Sequence, residues 1–308
     1  MPNTPTELVA PRTLAQSRPP LSIVMPAFNE AAGIGGVLDG LRRAMPEVEI
    51  IVVDDGSTDG TAELLAARND VRLLVHPFNR GYGAALKTGM RAATGDAIAW
   101  FDSDGEHRVS DLQAMLDRLA KERVAAVLGR RPRRQGAKVR IIGKAAIALL
   151  AMGLGFPPAA DLNCGLRIFR REAVMPYLSL LPNGFSASLT TTLVLLERRY
   201  PVAWQPVGTA PRLGKSKVAL RDGFASLALV MRAILLFAPL RFFLPPGLLL
   251  TALGTLYGLV VALNRHEGIP VAGMLVTLLG LLMCLLGLLA DQLSQLRLAE
   301  LDRQQITD

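Results

Sequence analysis

The stretch Ala97–Asp104, which reads AIAWFDSD, decides how the rest of this sequence is interpreted. Its five apolar residues predict a short buried strand, and two aspartates spaced one residue apart follow directly. Because side chains alternate along a strand, Asp102 and Asp104 are expected to share a face and point into the crevice beyond the sheet's carboxyl edge. Two carboxylates there suit a hard divalent cation that bridges nucleotide phosphates. An ordinary polar turn is the alternative for a lone Asp-x-Asp.

Strands and helices alternate on both sides of this stretch, which predicts an α/β domain with a mostly parallel sheet. The predicted strands cover residues 21–25, 48–53, 71–75, 96–101, 124–128 and 201–207. The segment Asp54–Ser57 (DDGS) follows the second strand, so it is expected at the same sheet edge as Asp102 and Asp104. Turn and helix-cap chemistry is the alternative role for its two carboxylates.

The composition narrows the class of protein. The 308-residue chain is 51% hydrophobic with a mean hydropathy of +0.34, and its net charge of +8 suits phosphate groups or an anionic membrane surface. The sequence has no zinc-finger, RNP or basic-zipper pattern, so nucleic acid is not a predicted partner. The segment Gly81–Gly83 begins like a dinucleotide fingerprint, but Leu86 stands where the third small residue belongs, which argues against a nicotinamide enzyme.

Two uncharged runs near the C-terminus predict a membrane hairpin. Residues 242–263 and 269–290 are each long enough to cross a hydrocarbon core of about 30 Å, and the connection between them is short. Flanking arginines outnumber the single Arg265 in the connection, which predicts that both ends of the hairpin lie in the cytoplasm. A buried helical hairpin in a soluble core is the alternative.

Basic residues are concentrated in two stretches that precede this hairpin in the sequence. Residues 123–160 contain eight basic side chains and no acidic one, and Arg212–Lys217 forms a second basic patch. These segments are either solvated surface or a site for a phosphate-headed lipid on an anionic membrane.

Eight short motifs occur in an order that resembles the family 2 glycosyltransferases of the GT-A fold. They are Pro26-Ala-Phe28-Asn29-Glu30, Asp54-Asp55-Gly56-Ser57, Asn79-Arg-Gly81, Asp102-Ser-Asp104, His107, Gly129-Arg-Arg131, Cys164-Gly-Leu-Arg167 and Gly214-Lys-Ser-Lys217. With the hairpin, they resemble the polyprenyl-phosphate branch, which includes dolichyl-phosphate mannose synthase and bacterial undecaprenyl-phosphate sugar transferases. The sequence departs from the family's motifs at three positions that bear on donor or acceptor preference. Glu106 stands where many relatives have Gln, Arg130 stands in place of a Ser, and Cys164 stands in place of a residue with a hydroxyl group.

The resemblance implies a reaction. It is inverting, metal-dependent transfer of a sugar from a nucleotide-sugar to a polyprenyl (undecaprenyl) phosphate at the cytoplasmic membrane face. UDP-sugars are favoured as donors, with GDP-mannose possible. The product is a polyprenyl-monophosphate sugar for cell-envelope glycan or glycoconjugate modification. The implied cofactor is Mg²⁺ or Mn²⁺, and the implied partners are the donor, the acceptor and the lipid bilayer. A homo-oligomer, with a second copy of the chain as partner, is left open beside a monomer.

The resemblance also implies roles for individual residues. Those implied for nucleotide binding are Pro26, Phe28, Glu30, Asp54, Asp55, Asn79, Gly81 and Asp102. Those implied for the metal are Asp102, Asp104 and Glu106, and those implied for catalysis are Asp102, Asp104 and Arg131. A phosphate monoester is already mostly dianionic at neutral pH, so the acceptor needs cations rather than a general base. The expected cations are Arg131, Arg140, Arg167, Lys215 and Lys217.

Two other functions share part of this pattern. A processive polysaccharide synthase would carry a Gln-x-x-Arg-Trp motif, and neither Trp100 nor Trp204 lies in one. A non-enzymatic membrane adaptor would not need the aspartate pair.

The predicted organisation follows from these patterns. Residues 1–20 form a disordered arm, 21–217 the GT-A catalytic domain and 218–243 interfacial amphipathic helices. Residues 244–290 form two transmembrane helices, and 291–308 a cytoplasmic tail. The expected location is the cytoplasmic (inner) membrane, with more than one span and with the catalytic domain in the cytoplasm.

Overall fold

The structure, a computed structural model, describes residues 18–131, 161, 164–184, 186–208, 239–265 and 268–307. Several predictions therefore lie wholly or largely outside the described residues. These are the N-terminal arm, most of the interfacial helices at 218–243, and the acceptor-site residues Arg140, Lys215 and Lys217.

A seven-stranded sheet forms the centre of the predicted catalytic domain. Its strands are β1 (Leu21–Ala27), β2 (Glu49–Asp54), β3 (Arg72–Val75), β4 (Ala97–Trp100), β5 (Ala126–Arg130), β6 (Arg167–Arg170) and β7 (Val202–Pro206). Their order across the sheet is β3-β2-β1-β4-β6-β5-β7. Every neighbouring pair is parallel except the two that involve β6. The predicted α/β class with a mostly parallel sheet is confirmed.

Strand β6 is the element that the sequence does not predict. It is only four residues long, and arginines stand at both of its ends, so it lacks the apolar run that identifies the other strands. It nevertheless pairs antiparallel with both β4 and β5, and its Ile168 and Phe169 are fully buried.

Helices cover both faces of the sheet. They are α1 (Ile34–Ala44), α2 (Thr61–Ala66), α3 (Tyr82–Ala92), α4 (Val109–Lys121), α5 (Arg171–Val174), a 3₁₀ helix (Met175–Leu180) and α6 (Ala187–Glu197). Helices α1 and α4 pack into one hydrophobic core, and α3 and α6 into the other. Because both faces are covered, β1, β2 and β4 are almost entirely apolar rather than alternating.

Strand β1 continues through Pro26, where the sequence predicts that it ends. Strand β4, the neighbour of β1 on one side, ends at Trp100, opposite Val24. The carbonyl of Pro26 accepts a hydrogen bond from Ser103, which follows β4, so the Pro26 nitrogen also faces the side where β4 has ended. The missing N–H of the proline therefore removes no ladder bond, and the strand can continue to Ala27.

Two long helices follow the catalytic domain, α7 (Pro239–Arg265) and α8 (Val271–Thr307). Their segments Phe242–Asn264 and Val271–Leu296 are long and apolar enough to cross a membrane. Only 17% of the most apolar part of each segment is buried. The predicted pair of apolar helices is therefore present, and most of its side-chain surface faces away from the protein. Helix α8 also contacts the 3₁₀ helix of the catalytic domain.

Glycines allow α7 and α8 to approach each other closely. A Cβ atom at Gly254 would lie 2.5 Å from the backbone nitrogen of Thr277. One at Gly280 would lie 2.5 Å from the backbone nitrogen of Thr251 and 2.7 Å from the carbonyl oxygen of Gly247. Because these neighbours are backbone atoms, they cannot move aside as a flexible side chain would, and the interhelical distance depends on the absence of side chains here.

We expect Gly280→Ala to lower the free energy of unfolding of the detergent-solubilised protein by about 1–3 kcal/mol, the usual cost of overpacking. The change should appear as a lower midpoint in a denaturant titration. Gly268→Ala is the matched control, because a Cβ there meets nothing within 4 Å. Equal stability of the two variants would contradict the close packing of α7 against α8.

Candidate functional site

Four loops meet at the carboxyl edge of the parallel strands, and hydrogen bonds join them into one surface. The loop after β1 is bound to the loop after β2: the Asn29 N–H donates to the Ser57 hydroxyl at 2.9 Å, and the Thr58 N–H donates to Asn29 Oδ1 at 2.8 Å. Asn29 has a φ of 55°, a left-handed conformation that asparagine tolerates better than most residues. The predicted motif residue Asn29 thus serves to join two loops.

The carboxylates of Asp54 and Asp55 are buried and organise these loops. Asp54 accepts hydrogen bonds from the N–H, at 3.2 Å, and the hydroxyl of Ser57. Asp55 accepts from the N–H groups of Arg80 at 2.9 Å and Gly81 at 2.8 Å. These are the turn interactions that the sequence left open as the alternative role, and they fix the loop that carries the predicted residues Asn79 and Gly81.

His76 is a site residue that sequence reasoning missed. Its ring is buried, with Nδ1 2.6 Å from Asp55 Oδ1 and Nε2 2.9 Å from the Thr88 hydroxyl oxygen. The ring therefore links the end of β3 to the Asp55 turn and to helix α3. Nothing in its local sequence marks this role, because both partners are at least 12 residues away.

Two exposed phenylalanine rings lie on the loops on either side of the Asp55 turn. Strand β2 lies between β1 and β3, and the loops that follow these two strands carry Phe28 and Phe78. Their exposed fractions are 38% and 66%, which is unusual for phenylalanine. Glu30 is half-buried and Asn79 is exposed on the same two loops.

The aspartate pair lies in a turn beyond β4, not on the strand itself. Strand β4 ends at Trp100, so alternation along a strand is not what places Asp102 and Asp104. The Ser103 hydroxyl donates to the Pro26 carbonyl at 3.0 Å and turns the chain back against β1. Asp104 then accepts from the Glu106 N–H at 3.0 Å, and Gly105 has a φ of 73° that completes the turn.

Two side chains contact the Asp102 carboxylate. The Tyr82 hydroxyl donates to Oδ1 at 2.9 Å, and His107 Nε2 lies 3.4 Å from Oδ2. Burial raises the pKa of Asp102, but the hydrogen bonds and charge of His107 and the Tyr82 hydroxyl outweigh it and hold the pKa below its ordinary value. Burial and then the charge of Asp102 raise the pKa of Tyr82 well above 10.0, so its hydroxyl remains a donor.

Asp102 and Asp104 are the two carboxylates of this turn that the sequence predicts to hold a cation. In the described part of the chain, no three His, Cys, Asp or Glu side chains are close enough together to hold a metal ion. The predicted third ligand, Glu106, therefore does not complete a cluster with Asp102 and Asp104. Mg²⁺ typically binds through one or two carboxylates and takes its other ligands from substrate phosphates and water, so a site built on two aspartates would not need a third protein ligand.

Arg131 directly follows β5 and forms an ion pair with Asp161, and its charge also lowers the pKa of Asp102. Its guanidinium donates to both oxygens of Asp161, at 2.8 and 3.2 Å, and this bond raises the pKa of Arg131 although burial opposes it. A cavity of about 400 Å³ adjoins the pair. It is lined by Arg130, Arg131, Pro206, Val207 and Gly208. Asp161 is a second residue that the sequence did not indicate.

Arg167 does not lie where an acceptor-phosphate residue is expected. Its side chain has no exposed surface, and it donates to the Cys164 carbonyl at 2.7 Å and the Thr192 hydroxyl at 2.6 Å. Its guanidinium carbon lies 5.9 Å from the centre of the Trp100 ring. Burial lowers the pKa of Arg167 to about 10. The acceptor-phosphate prediction for Arg167 is therefore corrected: the structure places it inside the domain, beneath the aspartate turn.

Comparison with known proteins agrees with this architecture. The chain is 28% identical over 268 residues to dolichyl-phosphate beta-glucosyltransferase ALG5C of Trichomonas vaginalis, covering 75% of this chain and 77% of that protein. It is 29% identical over 266 residues to undecaprenyl-phosphate 4-deoxy-4-formamido-L-arabinose transferase of Pseudomonas fluorescens, covering 80% and 73%.

A solved structure shares the fold. Glucosyl-3-phosphoglycerate synthase from Mycobacterium tuberculosis, crystallised with Mn²⁺, uridine diphosphate and glucosyl-3-phosphoglycerate, matches with a TM-score of 0.55. The two proteins are 24% identical, and the match covers 70% of this chain and 78% of the other.

The sheet and its acidic edge define an enzyme with a GT-A-like α/β fold. The family pattern for Glycosyl transferase family 2 matches residues 22–178, and the GtrB C-terminal hairpin pattern matches residues 238–296. The chain belongs to glycosyl transferase family 2 and is a membrane-associated glycosyltransferase.

We expect Asp55→Asn to lower the free energy of unfolding by about 1–3 kcal/mol, because the amide NH₂ at this buried position would leave the N–H group of Arg80 or Gly81 without an acceptor. Thermal unfolding of the detergent-solubilised protein measures this change. The control is Glu47→Gln, which replaces an exposed carboxylate far from the loops. Unchanged unfolding with weaker nucleotide binding would instead assign the Asp55 carboxylate to the donor.

Proposed function

We propose that this protein transfers a sugar from a nucleotide-sugar to a polyprenyl phosphate, with inversion at the anomeric carbon. The observation that carries the proposal is the turn that presents Asp102 and Asp104 at the same sheet edge as the buried Asp54 and Asp55. The named acceptors of the two relatives, dolichyl and undecaprenyl phosphate, support a polyprenyl phosphate as the acceptor.

The donor is proposed to bind over the loops after β1, β2 and β3. Phe28 and Phe78 offer exposed rings for the base, and Glu30 offers a carboxylate for base N–H or ribose hydroxyl donors. Asp54 and Asp55 set the shape of this surface through their turns, Asn79 and Gly81 lie on the loop after β3, and Pro26 lies near the end of β1. A UDP-sugar is the favoured donor, from resemblance to bacterial members with this hairpin.

Asp102 and Asp104 are proposed to hold Mg²⁺ or Mn²⁺ at the donor diphosphate. When bound, the cation offsets the negative charge that develops on the leaving nucleoside diphosphate. Tyr82 and His107 hold the Asp102 carboxylate in place through the contacts described above, while Asp104 is held by the Glu106 N–H.

The acceptor phosphate is proposed to bind at the basic cavity beside β5 and β7. Arg130 and Arg131 line it, and guanidinium groups suit bidentate contact with phosphate oxygens. Since the phosphate is already ionised at neutral pH, it attacks the anomeric carbon directly and no protein base takes a proton. Arg140, Lys215 and Lys217 remain predicted partners of the phosphate, outside the described residues.

The hairpin is proposed to hold the enzyme in the membrane that contains its acceptor. Helices α7 and α8 would cross the bilayer with both ends in the cytoplasm, which places the catalytic domain on the side where nucleotide-sugars are made. The expected membrane is the inner, cytoplasmic one, and the product would serve cell-envelope glycan or glycoconjugate modification.

Purified full-length protein with undecaprenyl phosphate should convert one of a panel of UDP-sugars or GDP-mannose into a polyprenyl-monophosphate sugar, identified by mass. Chelation should abolish transfer, and Mg²⁺ or Mn²⁺ should restore it. Asp104→Asn keeps the side-chain volume but loses the charge, so we expect a fall in rate of at least ~100-fold.

Glu47→Gln, an exposed and remote change, should keep the full transfer rate in the same assay. Full activity of Asp104→Asn in the presence of chelator would contradict the role of the aspartate pair. A product with several sugars on one lipid would point to a processive synthase instead.

We expect Arg131→Gln to raise the KM for polyprenyl phosphate at least ~10-fold while the KM for the donor changes little, because a charge-assisted phosphate contact is lost. Asp161→Asn breaks the same ion pair but keeps the arginine, so it separates a structural effect from phosphate binding. Arg123→Gln, an exposed and distant arginine, is the charge-matched control. Equal acceptor KM values in Arg131→Gln and Asp161→Asn would assign Arg131 to the ion pair alone.

A further inference from the structure

We propose that Gly165 and Tyr82 are positioning residues that fix the orientation of the Asp102 carboxylate for the donor diphosphate and its cation. The inference rests on the proposed function, in which Asp102 and Asp104 hold the cation. Neither residue was assigned a role from the sequence, although both lie within motifs quoted above.

Gly165 matters because the Asp102 carboxylate occupies the space that a side chain at this position would need. A Cβ atom at position 165 would overlap Oδ2 of Asp102 and would lie 2.9 Å from its Cγ and 3.1 Å from its Oδ1. A Cβ atom essentially never comes within 3.0 Å of a heavy atom outside its own residue and chain neighbours, so any side chain here must displace the carboxylate. The φ of Gly165 is not among the positive ones, so the requirement for glycine is one of space and not of backbone strain.

Hydrogen bonds from Arg167 hold the segment that carries Gly165. The buried Arg167 donates to the carbonyl of Cys164, the residue before Gly165, and to the hydroxyl of Thr192 on α6. In the sheet register, Arg167 pairs with Trp100, the last residue of β4 before the aspartate turn. A buried guanidinium without such partners would be costly, so these hydrogen bonds keep the backbone at Cys164 in one position. The backbone at Gly165 therefore limits the positions that the Asp102 carboxylate can take.

Tyr82 restrains the opposite oxygen. Its hydroxyl donates to Asp102 Oδ1 at 2.9 Å, and the carboxylate is thereby held between a hydrogen bond on one side and the backbone of Gly165 on the other. Tyr82 is the first residue of α3 and follows Gly81, whose N–H donates to Asp55. The position of the Tyr82 ring, and through it that of the Asp102 carboxylate, is thus tied to the turn after β2.

Outer partners of this kind orient the groups that bind a metal, and their loss typically costs 10- to 100-fold in metal affinity. A role in packing alone would instead affect the stability of the fold without changing how nucleotide affinity depends on the cation. Cation-dependent nucleotide binding therefore distinguishes a positioning role from a packing role, and it does not require the transfer reaction.

The test is a calorimetric titration of full-length protein in detergent with UDP, and in parallel with GDP, with Mn²⁺ and with EDTA. In Gly165→Ala we expect nucleotide affinity in Mn²⁺ to fall about 10-fold, and in Tyr82→Phe several-fold, while the affinity in EDTA stays within about 2-fold of wild type. Gly36→Ala, where a Cβ meets nothing within 4 Å, is the matched glycine control and should bind as wild type does. Asp102→Asn sets the loss expected when the charge itself is removed.

Wild-type affinity in Mn²⁺ for both Gly165→Ala and Tyr82→Phe would overturn the inference. If Gly165→Ala does not fold, Tyr82→Phe decides, because it removes one hydroxyl and keeps the ring. Cation-dependent binding that weakens as expected in a protein that transfers no sugar to polyprenyl phosphate would overturn the proposed acceptor and leave the positioning role standing. Wild-type protein whose nucleotide affinity is the same in Mn²⁺ and EDTA would overturn the proposed cation site and, with it, the positioning role.

Discussion

Negative charge at one edge of the sheet is the constraint on which the rest of the site depends. Asp54, Asp55 and Asp102 are held there at low exposure, where like charges repel each other more strongly than in water. Backbone N–H groups and the Ser57 hydroxyl stabilise the first two carboxylates. The Tyr82 hydroxyl, His107 and the charge of Arg131 act on the Asp102 carboxylate and hold its pKa below the ordinary value.

Hydrogen bonds also couple the position of the Asp102 turn to that of the Asp55 turn. The Asp55 carboxylate accepts a hydrogen bond from the N–H of Gly81. The next residue, Tyr82, begins α3, and its hydroxyl donates to the Asp102 carboxylate. A disturbance at the Asp55 turn is therefore transmitted to the Asp102 turn within one short segment. Hydrogen-bonded networks of this kind act as units, so single substitutions in them are not expected to have additive effects.

The sequence predicts most of the sheet and both acidic turns because parallel strands end at one edge, so strand order is not needed to bring their loops together. It misses β6, which is short and has an arginine at each end, and it misplaces Arg167 because a basic residue in a motif suggests a surface role. The partners that bury Arg167, Trp100 and Thr192, are 67 and 25 residues away, and no local pattern reveals them. His76 and Asp161 escape prediction for the same reason: their partners come from elements distant in sequence.

Helix α8 is one continuous helix of 37 residues that extends 11 residues, or roughly 16 Å, beyond its apolar span and contacts the 3₁₀ helix of the catalytic domain. If α8 crosses the membrane as proposed, this contact would limit how far the catalytic domain can move from the bilayer. Under the proposed function, enzyme and lipid acceptor then meet by diffusion in two dimensions. Turnover is governed by the number of acceptor molecules per unit area of membrane, and adding inert lipid dilutes the acceptor even when the volume of the solution is unchanged.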